Sequence, residues 1–258
     1  MKNVLKMMLF VPVIALASCA GVNLGEEVNE EAVTAYKAEM AKKEEVKSYT
    51  FKLDMSGKSD GQSVVSKFEM RKAENGDAYY KVYVKEGSAV SNVEMYQVAN
   101  EQYEEVSYII STSQGKKTEM ALAKKDNESY EETLEMYSIM TLLPNTLYQE
   151  FSTIEGVTDY AEDELEGASF ETKFYSKGEG NLSVKATIKD AKPEEGEDEY
   201  AKDGEFVATF ENYRFSSISI KSVTNKGNKG SGKASASYGK VSVSLPKGWE
   251  KNLTTLSL

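Results

Sequence analysis

The chain has 258 residues, of which 31 are basic and 42 acidic, giving a formal net charge of −11, with a single Cys and no His. This length can bury a sizeable core as one large or two small domains, while the acidic excess excludes a nucleic-acid binder, whose target phosphates would be repelled, and broad adhesion to anionic lipid headgroups. Without His or a spare thiol, the commonest general base, thiol nucleophile and zinc ligands are missing, so a non-catalytic protein without metal or other cofactor is expected.

The first residues carry positive charge at Lys2 and Lys6, followed by an unbroken apolar run from Met7 to Ala17. A basic start, a short apolar core and small residues ahead of a cut site make a secretory signal. The run is too short to span a bilayer, which takes roughly 20 apolar residues. Its ending, Leu16-Ala17-Ser18-Cys19, resembles the lipobox of bacterial lipoproteins. That resemblance implies cleavage after Ser18 and a diacylglyceryl group on Cys19, which would hold the protein on the extracytoplasmic face of a bacterial membrane. Cys19 is the only Cys, and lipidation accounts for a lone thiol in an exported chain. The expected organisation is a signal at 1–18, a lipidated tether at 19–27, a single domain at 28–248 and a loose tail at 249–258.

From about Val28 to Lys47 the apolar spacing predicts a helix, with Asn29 suited to cap it and Glu30 and Glu31 in its first turn. The period then changes to two. Tyr49-Thr50-Phe51-Lys52-Leu53-Asp54-Met55 alternates apolar and polar residues as a half-buried strand does. A second strand follows at about 62–73, with Val64, Phe68 and Met70 on one face. Asn75-Gly76 is a hairpin signal leading into Tyr79–Lys85, and further strands are expected near 89–99, 103–112 and 116–123.

Residues 126–155 break this meander. Asp126 or Asn127 can cap a helix with Leu134, Tyr137, Met140 and Leu143 on one face, and Pro144 is expected to end it. Strands resume at 168–177 and 181–190. An acidic loop at 191–204 precedes strands near 205–212 and 214–224. The Gly/Asn/Lys/Ser tract at 225–233 reads as mobile, and a last strand is expected at 234–245.

Chemical motifs are sparse. Ser-x-x-Lys spacing occurs at Ser113/Lys116, Ser237/Lys240 and Ser244/Lys247, but in turns or strands, without the helix that gives the motif meaning. The carboxylate clusters at 162–166 and 194–199 lack the spacing of a calcium loop and read as solvated charge. Tyrosine stands out, with sixteen in the chain, many of them in expected strands. Such a surface could stack on glycan or peptide, although Tyr also favours pleated, half-wet surfaces for its own sake.

The order of elements, a lipobox, a tether, one amphipathic helix and long antiparallel strands interrupted by a helical segment, is similar to the LolA/LolB-like superfamily, which includes lipoproteins of the LppX/LprG type. The closing stretch Tyr238–Pro246 looks like the final strand of such proteins. The resemblance implies an α+β fold: a strongly curved antiparallel sheet, an incomplete barrel, with the N-terminal helix and the central helical insertion covering its concave face. It also implies an apolar cavity for a lipid, an acyl group or a lipoprotein ligand. Phe51, Leu53, Met55, Phe68, Met70, Val82 and Val84 would line such a space if their faces point inward, and otherwise form plain core. The expected protein is a membrane-anchored monomer acting as carrier or sensor; the alternative is an envelope protein presenting its Tyr-rich sheet to glycan, peptide or protein.

Overall fold

The structure, a computed structural model, describes residues 23–59, 62–125, 127–163, 168–192 and 200–254. The expected signal, Cys19 and the acidic run 194–199 lie outside the described residues. The strands are β1 (Glu26–Glu27), β2 (Tyr49–Ser59), β3 (Gln62–Lys72), β4 (Ala78–Glu86), β5 (Ala89–Asn100), β6 (Glu104–Ser113), β7 (Lys116–Ala123), β8 (Ser169–Ser176), β9 (Asn181–Lys189), β10 (Ala201–Glu211), β11 (Arg214–Thr224) and β12 (Lys229–Tyr238). The helices are α1 (Glu30–Ala41), α2 (Tyr130–Glu135), α3 (Ser138–Phe151) and α4 (Ile154–Asp163). The expected α+β class holds. All twelve strands join one antiparallel sheet in the order β1-β8-β9-β10-β11-β12-β2-β3-β4-β5-β6-β7, which is not closed, so β1 and β7 are its edges.

The chain packs as two compact units. The first comprises residues up to Glu45, Asp54–Val65 and Leu147–Ala236. Its core follows the pleat, which sends alternate residues to opposite faces. Phe174, Val184, Ala208, Ile218 and Ala234 are successive register partners across β8 to β12. All but Phe174 are buried. Phe151, Ile154 and Val157 of the helical segment are also buried in this unit.

In α1 the Asn29 side chain accepts from Ala32 N at 3.0 Å, a cap that satisfies one of the free N–H groups of the first turn. The helix stops at Ala41, short of the expected Lys47, because only Val33 and Tyr36 are buried and the charged run Lys42–Glu45 offers nothing to bury. Tyr36 fixes it in place, donating its hydroxyl to Gly180 O at 3.1 Å and stacking on Tyr213 with ring centroids 4.9 Å apart. Tyr213 and Asn212 form the two-residue β10–β11 turn, with φ of 61° and 52°. Left-handed backbone at both positions is what such a hairpin needs, and for a Tyr it costs on the order of 1 kcal/mol. The Tyr213 N–H bond to Gly180 O at 3.1 Å and the ammonium of Lys43, 4.9 Å from the ring centre, offset that strain.

The tract expected to be mobile at 225–233 is partly strand. Lys229 to Ser235 pair in register with Val223 to Ser217, and Ser231 shares a 3.1 Å hydrogen bond with Ser56. Its glycines suit close packing rather than looseness: a Cβ on Gly232 would sit 3.7 Å from Met55 Cγ and 3.8 Å from Ile220 Cβ.

The second unit comprises Val46–Leu53, Ser66–Thr146 and the residues from Ser237 on. The Asn75-Gly76 hairpin forms as expected. Gly76 takes a φ of 94°, and the buried Asp77 ties the turn down by accepting from Asn75 Nδ2 and Ala99 N, each at 2.8 Å. Pro144, expected to end a helix, lies inside α3. Proline removes the donor to Met140 O, while the Asn145 side chain donates to the next carbonyl, Thr141 O, at 2.6 Å. Met140 and Leu143 are buried before the proline, and Leu147 and Phe151, which belong to the first unit, are buried after it.

The end of the chain also departs from expectation. β12 runs from Lys229 and stops at Tyr238, so the strand foreseen over 234–245 forms only in its first part. The tail is not loose from 249 to 254: Trp249–Asn252 makes a 3-10 turn, and Trp249 meets Tyr103 edge-on at 6.0 Å. Asn252 Nδ2 donates to Tyr108 at 3.0 Å and to Glu119 at 3.1 Å. Leu253 bridges Ala121 in parallel and Thr254 N donates to Ala121 O at 2.9 Å, covering part of the edge strand β7. Asn252→Ala is therefore expected to lower unfolding stability by about 1 kcal/mol in urea; an unchanged midpoint would mean that the tail is loose after all.

Candidate functional site

On one face of the second unit the helical segment lies over the meander. Ala78, Tyr80, Val82 and Val84 of β4 share this face with Gln97, Met95, Val93 and Ser91 of β5, and with Ser107, Ile109 and Ser111 of β6. The hydroxyl of Tyr130 at the start of α2 donates to Glu105 at 2.6 Å and shares a 2.8 Å bond with Ser107. Burial first, and the Glu105 carboxylate second, push its ionisation far above the ordinary tyrosine range. Asn145 of α3 donates to the Tyr80 hydroxyl at 3.4 Å. Beneath this cover Tyr80, Met95, Ser107, Ile109 and Leu122 are buried.

The cover does not extend along the whole of the strands. The next positions on the same face, Val82, Val84 and Val93, are only half-buried, as is Met120 of β7. An apolar ledge therefore emerges from under the helices and reaches solvent.

The seven residues expected to line a ligand space divide accordingly. Phe51, Leu53, Phe68 and Met70 are closed core, with at most 8% of their surface exposed. Met55, Val82 and Val84 are half-buried. Met55 belongs to the first unit and the other six to the second. Only Val82 and Val84 are seen on the ledge. Val93 was missed, although period-two alternation places it there once the hairpin register is known; the half-buried Met120, at the end of the Tyr80–Met95–Ile109 row, was missed as well.

The opposite face of β4 to β7 carries the tyrosines. Tyr79, Tyr96 and Tyr108 are register partners, with ring centroids 4.8 and 6.3 Å apart, and the Arg71 guanidinium lies 5.0 Å from the Tyr79 ring centre. Glu94 sits among them, accepting from Lys81 at 3.0 Å, Asn92 at 3.2 Å and Tyr79 at 3.2 Å. Burial alone would push the Glu94 carboxyl up, but these donors outweigh it and hold it below its usual value. Tyr79 and Tyr108 are buried, so the row is engaged in its own packing rather than offered as an exposed aromatic stripe.

Two buried side-chain atoms have no hydrogen-bond partner among the described residues, Asn92 Oδ1 and Glu150 Oε2. Burial raises the Glu150 carboxyl above its ordinary range. Among the described residues no three His, Cys, Asp or Glu side chains converge as a metal ion would require, and no helix is long and apolar enough to cross a membrane.

No protein-family model matches the chain, and comparison with curated proteins gives no match. Among solved structures it is similar to a DUF1329 family protein from Desulfovibrio piger, at 8% sequence identity and a TM-score of 0.25, with 85% of this chain and 95% of that one covered. At that TM-score nothing about ligand or activity transfers from one to the other.

The division between core and ledge is measurable. Phe51→Ala is expected to lose about 3–5 kcal/mol of stability, as large-to-small changes in closed cores do, whereas Val84→Ala should lose about 1 kcal/mol or less; equal losses in denaturant titrations would erase the distinction. Glu94 adds a pH dependence. Its folded-state ionisation is depressed, so its contribution is present above the unfolded carboxylate value and is lost as pH falls through the lower folded one. Glu94→Gln should therefore flatten the acid limb of a thermal-stability profile and leave its neutral-to-alkaline slope unchanged.

Proposed function

We propose that this chain is an exported bacterial lipoprotein, anchored through Cys19, that binds a lipid or acyl chain without catalysis on the apolar ledge of β4 and β5. One observation carries the reading: Val82, Val84 and Val93 continue a buried apolar face past the end of its helical cover and stay half-open to solvent. Leaving such surface in water is unfavourable by about 25 cal/mol for each Å², and a hydrocarbon chain laid along it removes that cost. The resemblance to LolA/LolB-like lipoproteins supports the same reading, since that group holds acyl chains between sheet and helices. The anchor supports it too, because Cys19 would keep the ledge on the extracytoplasmic face, beside a source of lipid. The protein would act as a carrier or sensor, in monomeric form.

Native mass spectrometry of protein made in a bacterium and kept free of detergent tests this directly. The expected spectrum carries a mass excess that organic extraction releases as phospholipid or acylglycerol, and Val82→Asp/Val84→Asp loses it while keeping its circular dichroism. A bare mass, unchanged after incubation with lipid vesicles, would overturn the proposal. The anchor is checked apart from the ligand: labelled palmitate should enter the wild-type chain in cells and not Cys19→Ser.

A further inference from the structure

The helical segment of the second unit leaves a second apolar surface uncovered, on its outer side. Met136, Ile139 and Leu142 are 72%, 52% and 58% exposed. They lie three residues apart: Met136 in the turn that joins α2 to α3, where Tyr137 N donates to Leu134 O and Met140 N to Tyr137 O, and Ile139 and Leu142 in the first turns of α3. Within α3 that spacing puts Ile139 and Leu142 on neighbouring parts of one face, and Met136 is exposed in the turn just before them. Met140 and Leu143 face inward and are buried, so the exposed three are not the helix's own core. Single exposed apolar residues are ordinary, but three in one row mark a contact surface.

The charge around the row indicates what it contacts. Glu131, Glu132 and Glu135 precede it and are exposed. Glu131 pairs with Lys124 at 3.7 Å, whereas Glu132 and Glu135 make no ion pair among the described residues. No Lys or Arg occurs between Lys125 and Lys173. A bilayer bearing anionic lipid would repel this rim. A second copy docked about a two-fold axis would set the same patch against itself, acid on acid. A partner with an apolar stripe edged by Lys or Arg satisfies both the row and its rim.

We infer that Met136, Ile139 and Leu142, with Glu132 and Glu135 beside them, form a docking surface for a basic amphipathic helix of a partner protein. An apolar helix face laid on apolar side chains, with opposite charges along the border, is a recurrent mode of recognition. The inference does not depend on lipid binding, since the ledge lies on strands β4 and β5 and this row on the outer side of the helices.

The test uses the full chain carrying Cys19→Ser, so that no anchor contributes. The probe is a fluorescein-labelled peptide of about 14 Leu and Lys residues, with Leu at positions i, i+3, i+4 and i+7. The controls are the same composition scrambled and a Leu/Glu peptide of the same pattern. By anisotropy the patterned basic peptide should bind at least about tenfold more tightly than either control and weaken as salt rises. Ile139→Ser/Leu142→Ser and Glu132→Lys/Glu135→Lys should each weaken it by about tenfold or more, with unchanged circular dichroism and unchanged lipid loading. Equal binding of the scrambled peptide, or of both double variants, would overturn the inference. Phosphatidylcholine vesicles captured by the wild type but not by Ile139→Ser/Leu142→Ser would also overturn it, assigning the row to a membrane. A dimer in sedimentation that the same variant dissolves would overturn it in favour of a second copy.

Discussion

A pleated sheet has two faces, and each must be covered by something or left wet. Twelve strands set that problem on a large scale here, and the described residues offer four helices to meet it, the longest of 14 residues. Most features of the molecule answer this shortage of cover. In the first unit the row Val184, Ala208, Ile218 and Ala234 across β9 to β12 is buried throughout. In the second, the helical segment covers the rows around Tyr80 and Ile109 and then runs out. The other face of the meander is shielded by its own long side chains, with Tyr79, Tyr96, Tyr108, Lys81 and Arg71 lying against one another and Glu94 neutralised among them.

This explains why two apolar surfaces of different origin remain exposed. The ledge at Val82, Val84 and Val93 is sheet that the helices fail to reach. The row at Met136, Ile139 and Leu142 is helix turned away from the sheet. The helical segment bears apolar residues on a side it does not bury, where a segment needing only to pack would carry polar residues, and the strands carry their apolar face beyond the part the helices cover.

Much of the fold was legible from local pattern. The alternation of Tyr49–Met55, the Asn75-Gly76 turn and the Asn29 cap each express a short-range rule, and each appears where it was expected. Failures came where a distant segment decides the outcome. Proline ends helices on average, but the burial of Leu143 and Leu147 on either side of Pro144 overrides it. The Gly-rich tract at 225–233 looks mobile until β11 is available to pair with it, and the tail past Trp249 looks loose until Tyr108, Glu119 and Ala121 are placed beside it. The candidate site was half-legible for the same reason. Alternation identifies which residues share a face of a strand, but Phe51 and Val84 obey the same alternation. Their surroundings in the folded chain, which alternation does not contain, make one of them core and the other half-open.

The β10–β11 turn bears on how the molecule would take a load. From Asn23 the chain runs into a two-residue edge strand paired with β8 and then a helix held by Val33, Tyr36 and the Lys37–Glu155 ion pair. A pull from that end would meet the β1–β8 pairing first and then, through Tyr36, the Tyr213 turn already held in left-handed backbone. Such a joint works as a mechanical fuse: tension would peel β1 and α1 away and let the turn relax while the paired strands behind it stay intact.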